Sequence, residues 1–175
     1  VNLLVDRMWE WSGGGKIPIV FDTSPCTYTM TTCRDDLSAA NRERYDKLEI
    51  LDSVAFVHDY LLPKLELKPL DDDVILHPVC SVTKMDLAGK LTAIANKCSR
   101  SATVPISAGC CGFAGDRGLL FPELAAAATR AEAVEVADTG CTRCFSSSRT
   151  CEIGLTTATG EIYRSFIYLV ELASR

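Results

Sequence analysis

The stretch ILHPVCSVTKM, at residues 75–85, decides the fold that we expect for this chain. A short apolar run ends at a histidine and a proline, and a cysteine with hydroxyl residues follows. This order is typical of a buried strand that runs into a loop and then into a helix. In open α/β folds, sites form in the loops that follow the carboxyl ends of strands.

A second stretch, VFDTSPCTYTM at residues 20–30, repeats this order of apolar run, proline, cysteine and hydroxyl residues. Helical patterns surround the two stretches, at residues 37–65 (in two pieces), 87–98, 122–136 and 162–173. Residues 71–73 read as a turn, and residues 104–107 as a short extended piece. The sequence therefore predicts an α/β fold of two pseudo-repeated halves, at about residues 16–70 and 71–175. Each half would be a small, mostly parallel sheet flanked by helices.

Composition excludes some classes of protein. The 175 residues carry a net charge of −5, and lysine and arginine are scattered, so we expect no nucleic-acid surface. No apolar stretch reaches the ~20 residues that span a bilayer. The first residue is not methionine and no signal-peptide pattern follows. We expect residues 1–175 to be one cysteine-rich domain from a longer chain.

The cysteine content is unusual. Nine cysteines are an odd number and a poor disulfide framework for a chain of this length. Only two histidines are present, which argues against a histidine-rich zinc or copper site. Thiols clustered in this way favour metal or redox chemistry in a reducing compartment. We therefore expect a cytoplasmic protein, with a peripheral position at the inner membrane as the alternative.

The sharpest local feature is the sequence Cys-Cys-Gly at residues 110–112. Two adjacent cysteines in a glycine-flanked turn can both face one bound cluster, and Gly112 would let the backbone approach its inorganic core. Iron–sulfur clusters are usually held by four thiolates. Further cysteines follow a predicted strand or begin a predicted helix. We expect four thiols to meet at one edge of a sheet: Cys80, Cys110, Cys111 and Cys151.

The other candidates are weaker. Cys98 sits on a predicted helix and is expected to pack in the core. His77 either tunes a cluster by hydrogen bonding or caps a strand end. No nucleophile–base pair is found, so no catalytic residue is predicted. Three further thiols are kept as additional ligand candidates: Cys26, Cys141 and Cys144.

Residues 109–124, GCCGFAGDRGLLFPEL, resemble the CCG cysteine-rich domain family, which includes the B subunit of heterodisulfide reductase. Residues 148–155, SRTCEIGL, and 159–165, TGEIYRS, are similar to a narrower group. That group comprises single-chain dehydrogenases that bind FAD and an iron–sulfur cluster and act on D-lactate or similar acids. Two features depart from the family. The final Cys-x-x-Cys matches either residues 141–144 or only Cys151, and the first half has no Cys-Cys-Gly.

The resemblance implies an iron–sulfur cluster, of the 4Fe-4S type, on the four thiols named above. The cluster would receive electrons from FAD in a separate N-terminal domain and pass them to a quinone, a cytochrome or another carrier. The chain would then be part of a D-2-hydroxy-acid dehydrogenase and not catalytic alone. Two alternatives stay open: a structural zinc module, and a metal-free domain that docks the flavin domain.

Overall fold

The computed structural model describes residues Val1–Arg175 and contains six strands and ten α-helices. The strands are β1 (Ile19–Phe21), β2 (Ile50–Asp52), β3 (Leu70–His77), β4 (Ser99–Thr103), β5 (Cys144–Ser146) and β6 (Tyr163–Ser165). The helices are α1 (Asn2–Trp11), α2 (Ser24–Thr32), α3 (Ala39–Tyr45), α4 (Ser53–Phe56), α5 (Cys80–Lys84), α6 (Ala88–Cys98), α7 (Arg117–Leu120), α8 (Pro122–Thr139), α9 (Arg149–Thr159) and α10 (Phe166–Ala173). A π-helical segment, Val57–Leu61, follows α4.

The first half is built on two parallel strands, β1 and β2. Helices α1, α2 and α3 enclose a small core of Val5, Met8, Met30, Cys33 and Leu37. The helical region expected in two pieces over residues 37–65 is indeed divided, and the strand β2, which was not expected, lies between α3 and α4. Asp52 ends this strand because its carboxylate caps α4 at the Val54 N–H and accepts a bond from Thr27.

The second half is a four-stranded, all-parallel sheet with the order β4-β3-β5-β6. Helices α6 and α10 pack on one face and helices α8 and α9 on the other. Because both faces are covered, the end of β3 and all of β5 are buried. The sheet therefore leaves only its strand ends available for a site.

The predicted fold class is confirmed: the chain is mixed α/β with two small parallel sheets flanked by helices. The two stretches with the repeated pattern lie against each other, since α2 packs on α5 and the Lys84 ammonium sits 5.2 Å from the centre of the Tyr28 ring. The predicted strand at residues 74–76 is part of β3, and the predicted helix at residues 122–136 is part of α8.

Three local expectations are wrong. Residues 71–73 are part of β3 instead of a turn, because Asp73 pairs with Arg100 and Ser101 on the neighbouring strand. The extended segment that was expected at residues 104–107 lies earlier in the chain, where β4 spans Ser99–Thr103. The closing helix was expected to begin at residue 162. It begins at Phe166, because residues 163–165 form strand β6. None of the ten helices combines the length and apolar character that crossing a lipid bilayer requires.

Candidate metal centre

The four predicted ligands follow three neighbouring strands of the larger sheet. Cys80 begins α5, directly after β3. Cys110 and Cys111 lie in the loop that leaves β4, and Cys151 lies in the first turn of α9, after β5. Because β4, β3 and β5 are adjacent and parallel, the chain leaves all three at the same edge of the sheet. The topology therefore brings the four cysteines to one edge.

Two of these thiols are in direct contact. The sulfurs of Cys111 and Cys151 lie 2.9 Å apart, although the residues are 40 positions apart in the chain. Both residues are buried, whereas Cys80 and Cys110 are exposed. The site thus has two thiols at its base and two that face solvent.

The two buried thiols have opposite electrostatic behaviour. The hydrogen bond from Cys151 lowers the pKa of Cys111 to about 6, against its burial, and the Phe113 N–H and the charge of His77 lower it further. The pKa of Cys151 is raised because it donates that bond, because it is buried, and because of nearby charge at Cys111, Cys80 and Cys110. The two thiols therefore titrate as a coupled pair, and their contact favours loss of the first proton.

The thiols do not form a closed cage in this conformation. No group of three or more histidine, cysteine, aspartate or glutamate side chains in residues 1–175 is arranged to hold a metal ion. The donor set has the chemistry that clusters need, but its sulfurs would have to move to surround a bound group.

Buried polar atoms supply a second test of whether the residues fit a bound group. Six buried side-chain nitrogen or oxygen atoms have no hydrogen-bond partner. Four of them follow the carboxyl ends of strands: Ser24 Oγ after β1, His77 Nε2 and Ser81 Oγ at the end of β3, and Ser147 Oγ after β5. Buried polar groups are nearly always paired, so this concentration calls for an explanation. The Ser81 and Ser147 hydroxyls, which follow β3 and β5, can donate to a group that presents acceptor sulfurs, so the residues at this edge fit a cluster.

Gly112 has a different role from the one that the sequence suggested. Its φ is +73°, and a Cβ there would lie 2.8 Å from the Leu124 carbonyl oxygen and 2.9 Å from the Ala125 Cα. The glycine is therefore required because the loop crosses closely over α8. Approach to a bound group is not needed to explain it.

Phe113 anchors the cysteine loop and was missed in the sequence. Its buried ring lies so close to Gly118 and Gly154 that a Cβ at either position would clash with it, at 2.6 Å and 2.9 Å. This contact joins the loop to α7 and α9. The available signal in the sequence was the presence of glycines at positions 118 and 154, where the absence of a side chain leaves room for a large ring.

Glu132 is a second residue that sequence reasoning missed. It lies on α8, and both of its carboxylate oxygens are within 3.0 Å of His77 Nδ1. The buried positions of α8 are Ala125, Thr129, Glu132 and Val136, which follow the helical period. That spacing alone would have placed Glu132 on the buried face, where a carboxylate needs a partner.

The additional candidates lie elsewhere. Cys141 and Cys144 are at the amino end of β5, the opposite edge of the sheet from Cys151. The Cys141 thiol donates to the Asp73 carbonyl oxygen at 3.1 Å, and burial raises the pKa of Cys144 to about 12. Cys26 is exposed on α2, in the first half. Cys98 is completely buried in the main core, as expected.

Comparisons with known proteins add no relative. No protein-family model matches the chain, and no curated protein matches it. The resemblance to the CCG cysteine-rich domain family therefore stays a prediction that rests on the cysteine pattern and the stretches quoted above.

Proposed function

We propose that the chain is an iron–sulfur electron-transfer domain, with a cluster of the 4Fe-4S type held by Cys80, Cys110, Cys111 and Cys151. The observation that carries this proposal is the convergence of the four thiols on one sheet edge, from loops that follow three adjacent strands. When bound, such a cluster supplies one-electron transfer at a potential set by its surroundings.

The residues around the thiols support this function. Metal binding requires deprotonated cysteines, and the hydrogen bond from Cys151 lowers the pKa of Cys111, which favours its thiolate. Ser81, Ser147 and His77 offer buried donors at the same edge. The Phe113 ring and α8 cover the base of the site and limit its contact with water. These features would hold a cluster in place and tune it.

The exposed side of the site suits a redox partner. Cys80 and Cys110 face solvent. Large apolar side chains are exposed in the segment that follows the cysteine loop: Leu119 at 68%, Leu120 at 66% and Phe121 at 50%. Exposed apolar surface of this kind is typical of interaction sites. We propose that the partner is the FAD domain of a D-2-hydroxy-acid dehydrogenase of the D-lactate type, in the cytoplasm or peripheral at the inner membrane, with a quinone or cytochrome as acceptor.

A structural zinc site is the second candidate function. The buried His77–Glu132 pair favours this candidate. In zinc proteins, a histidine commonly binds the metal through one ring nitrogen while its other ring nitrogen donates a hydrogen bond to a carboxylate. Zinc would be colourless and redox-silent. A visible spectrum that bleaches on reduction separates the two candidates.

The ligand set is tested by cysteine variants loaded anaerobically with iron and sulfide. We expect Cys80→Ser, Cys110→Ser, Cys111→Ser and Cys151→Ser each to lose most of the bound iron. Cys141→Ser and Cys144→Ala are the matched controls from the opposite edge of the sheet, and we expect both to keep the wild-type content. Loss of iron in the controls and not in the first set would contradict the proposal.

A further inference from the structure

A buried histidine–glutamate pair lies at the carboxyl end of β3, the strand that leads to Cys80. His77 is the last residue of β3 and is fully buried, and Glu132 is 2% exposed. Side chains alternate along a strand, so His77 shares a face with Ile75, which packs with the core on the α8 and α9 side. The pair therefore crosses from the end of the sheet to α8.

The imidazole ring is held in one orientation. Its Nδ1 lies 2.8 Å and 3.0 Å from the two carboxylate oxygens of Glu132, so Nδ1–H donates to the carboxylate. The Ser146 hydroxyl donates to the His77 carbonyl oxygen at 2.9 Å and fixes the backbone at the end of the strand. Two elements, α8 and β5, thus determine where the other ring nitrogen lies.

That other nitrogen, Nε2, has no partner although it is buried. A buried pair of this kind seldom stabilises a fold by itself, because desolvation offsets the attraction. An unpaired ring nitrogen adds a further cost. His77 ends β3 only three residues before Cys80, so its ring lies at the edge of the sheet to which the thiols come. The arrangement is therefore better explained by a bond that Nε2 makes at the cysteine site.

We propose that Glu132 is a positioning residue that holds His77 so that Nε2–H donates a hydrogen bond to a sulfur of the cysteine site. This inference rests on the proposed cluster and specifies how the protein tunes it. In this arrangement the ring bridges the Glu132 carboxylate on one side and a negative sulfur on the other. Such a bond favours the reduced cluster, which carries more negative charge, and raises its reduction potential.

Isotope labelling tests the contact directly. The chain has only two histidines, and His58 lies in the π-helical segment, where its ring bonds to Asp59. We expect pulsed electron-paramagnetic-resonance spectra of the reduced, reconstituted chain, labelled with nitrogen-15 histidine, to show a weak nitrogen coupling. The coupling should persist in His58→Gln and vanish in His77→Gln. A strong coupling would indicate direct ligation by His77 and would overturn the hydrogen-bond proposal.

The role of Glu132 is tested by the reduction potential. Glu132→Gln keeps the size and an acceptor oxygen but removes the charge. Removal of the charge alone would make reduction more favourable, so a shift in the opposite direction reports the lost bond from Nε2. We expect that loss to make reduction about tenfold less favourable, or about 59 mV more negative for a one-electron couple. Glu132→Ala should shift the potential in the same direction. Asp138→Asn, at an exposed position of the same helix, is the control and should leave the potential unchanged.

The outcomes separate the two proposals. A wild-type chain that takes up no iron overturns the proposed cluster and this inference with it. A chain that loads iron fully but shows no histidine coupling, or keeps its potential in Glu132→Gln, overturns the inference alone. Glu132→Gln is nearly isosteric, so it serves even if Glu132→Ala does not fold.

Discussion

At the scale of single residues, the contact between Cys111 and Cys151 has a consequence for titration. In the metal-free chain we expect one thiolate to form near pH 6, because Cys151 donates to Cys111 and favours its charged form. Cys151→Ala removes that donor, so the pKa of Cys111 should rise and the step should move to higher pH. The measurement is the ultraviolet absorbance of thiolates against pH.

The control for this titration is Cys98→Ala. Burial raises the pKa of Cys98 to about 11, so its removal should leave the step near pH 6 in place. A wild-type chain without any thiolate step between pH 5 and 7 would show that the two sulfurs do not share a proton in solution.

Gly112 carries a second prediction at the residue scale. Gly112→Ala forces a side chain into a left-handed conformation and against the backbone of α8. We expect the free energy of unfolding to fall by roughly 2 kcal/mol, measured by urea denaturation. Gly109→Ala is the matched control from the same loop, because its nearest neighbour would lie at 3.8 Å and its φ is not positive. Equal stability of the two variants would refute the close contact with α8.

The residues that form the candidate site could be predicted only in part. The convergence of the four thiols follows from their positions after predicted strands and helix starts, and the topology agrees with it. The partners beneath them could not be predicted, because His77 and Glu132 are 55 positions apart and meet only when α8 packs on the sheet. Gly112 was predicted to let the backbone approach a bound group, whereas the backbone that it approaches in the structure is that of helix α8.

At the scale of elements, helix α8 also holds the cysteine loop. The Glu135 carboxylate accepts bonds from the Ile106 N–H at 2.6 Å and the Ser107 N–H at 3.0 Å, and from the Ser107 hydroxyl. These bonds, the Ser107 hydroxyl first, lower the pKa of Glu135. The stability that these bonds contribute is therefore fully present above the ordinary pKa of glutamate. It is lost as the pH falls through the lowered pKa of Glu135.

We expect Glu135→Ala to loosen this loop while the rest of the fold stays intact. Hydrogen exchange at the Ile106 and Ser107 amides should become faster than in the wild type at neutral pH. Asp138→Asn, three positions further along the exposed part of α8, should leave these rates unchanged. Unchanged exchange in Glu135→Ala would mean that the carboxylate does not restrain the loop.

Long elements were predicted better than short ones, for physical reasons. Helix α8 has 18 residues with a proline at its start, and its propensity and pattern agree. Strands β2 and β5 have three residues each, too few to show a period. Strand β4 is a polar edge strand whose Arg100 pairs with Asp73, so its sequence reads as a loop. Such strands are specified by their neighbours in the sheet.

At the scale of the whole molecule, the two halves share an architecture but not a site. Each half has a parallel sheet in which a strand leads to a helix with a cysteine in its first turn, Cys26 in one and Cys80 in the other. Only the second half has the long loop after β4 that brings two more thiols to the sheet edge. Helix α2, which carries Cys26, packs on helix α5, which carries Cys80. The first half therefore supports one wall of the site.

The central claim, that the chain carries a redox-active cluster, is tested most directly by iron and sulfide analysis of the anaerobically purified and reconstituted chain, with visible and electron-paramagnetic-resonance spectra. We predict about four iron and four sulfide per chain, as expected for the proposed 4Fe-4S cluster, and a visible band that bleaches on reduction. Stoichiometric zinc, or no metal after anaerobic reconstitution, would contradict the claim and leave a structural or docking domain.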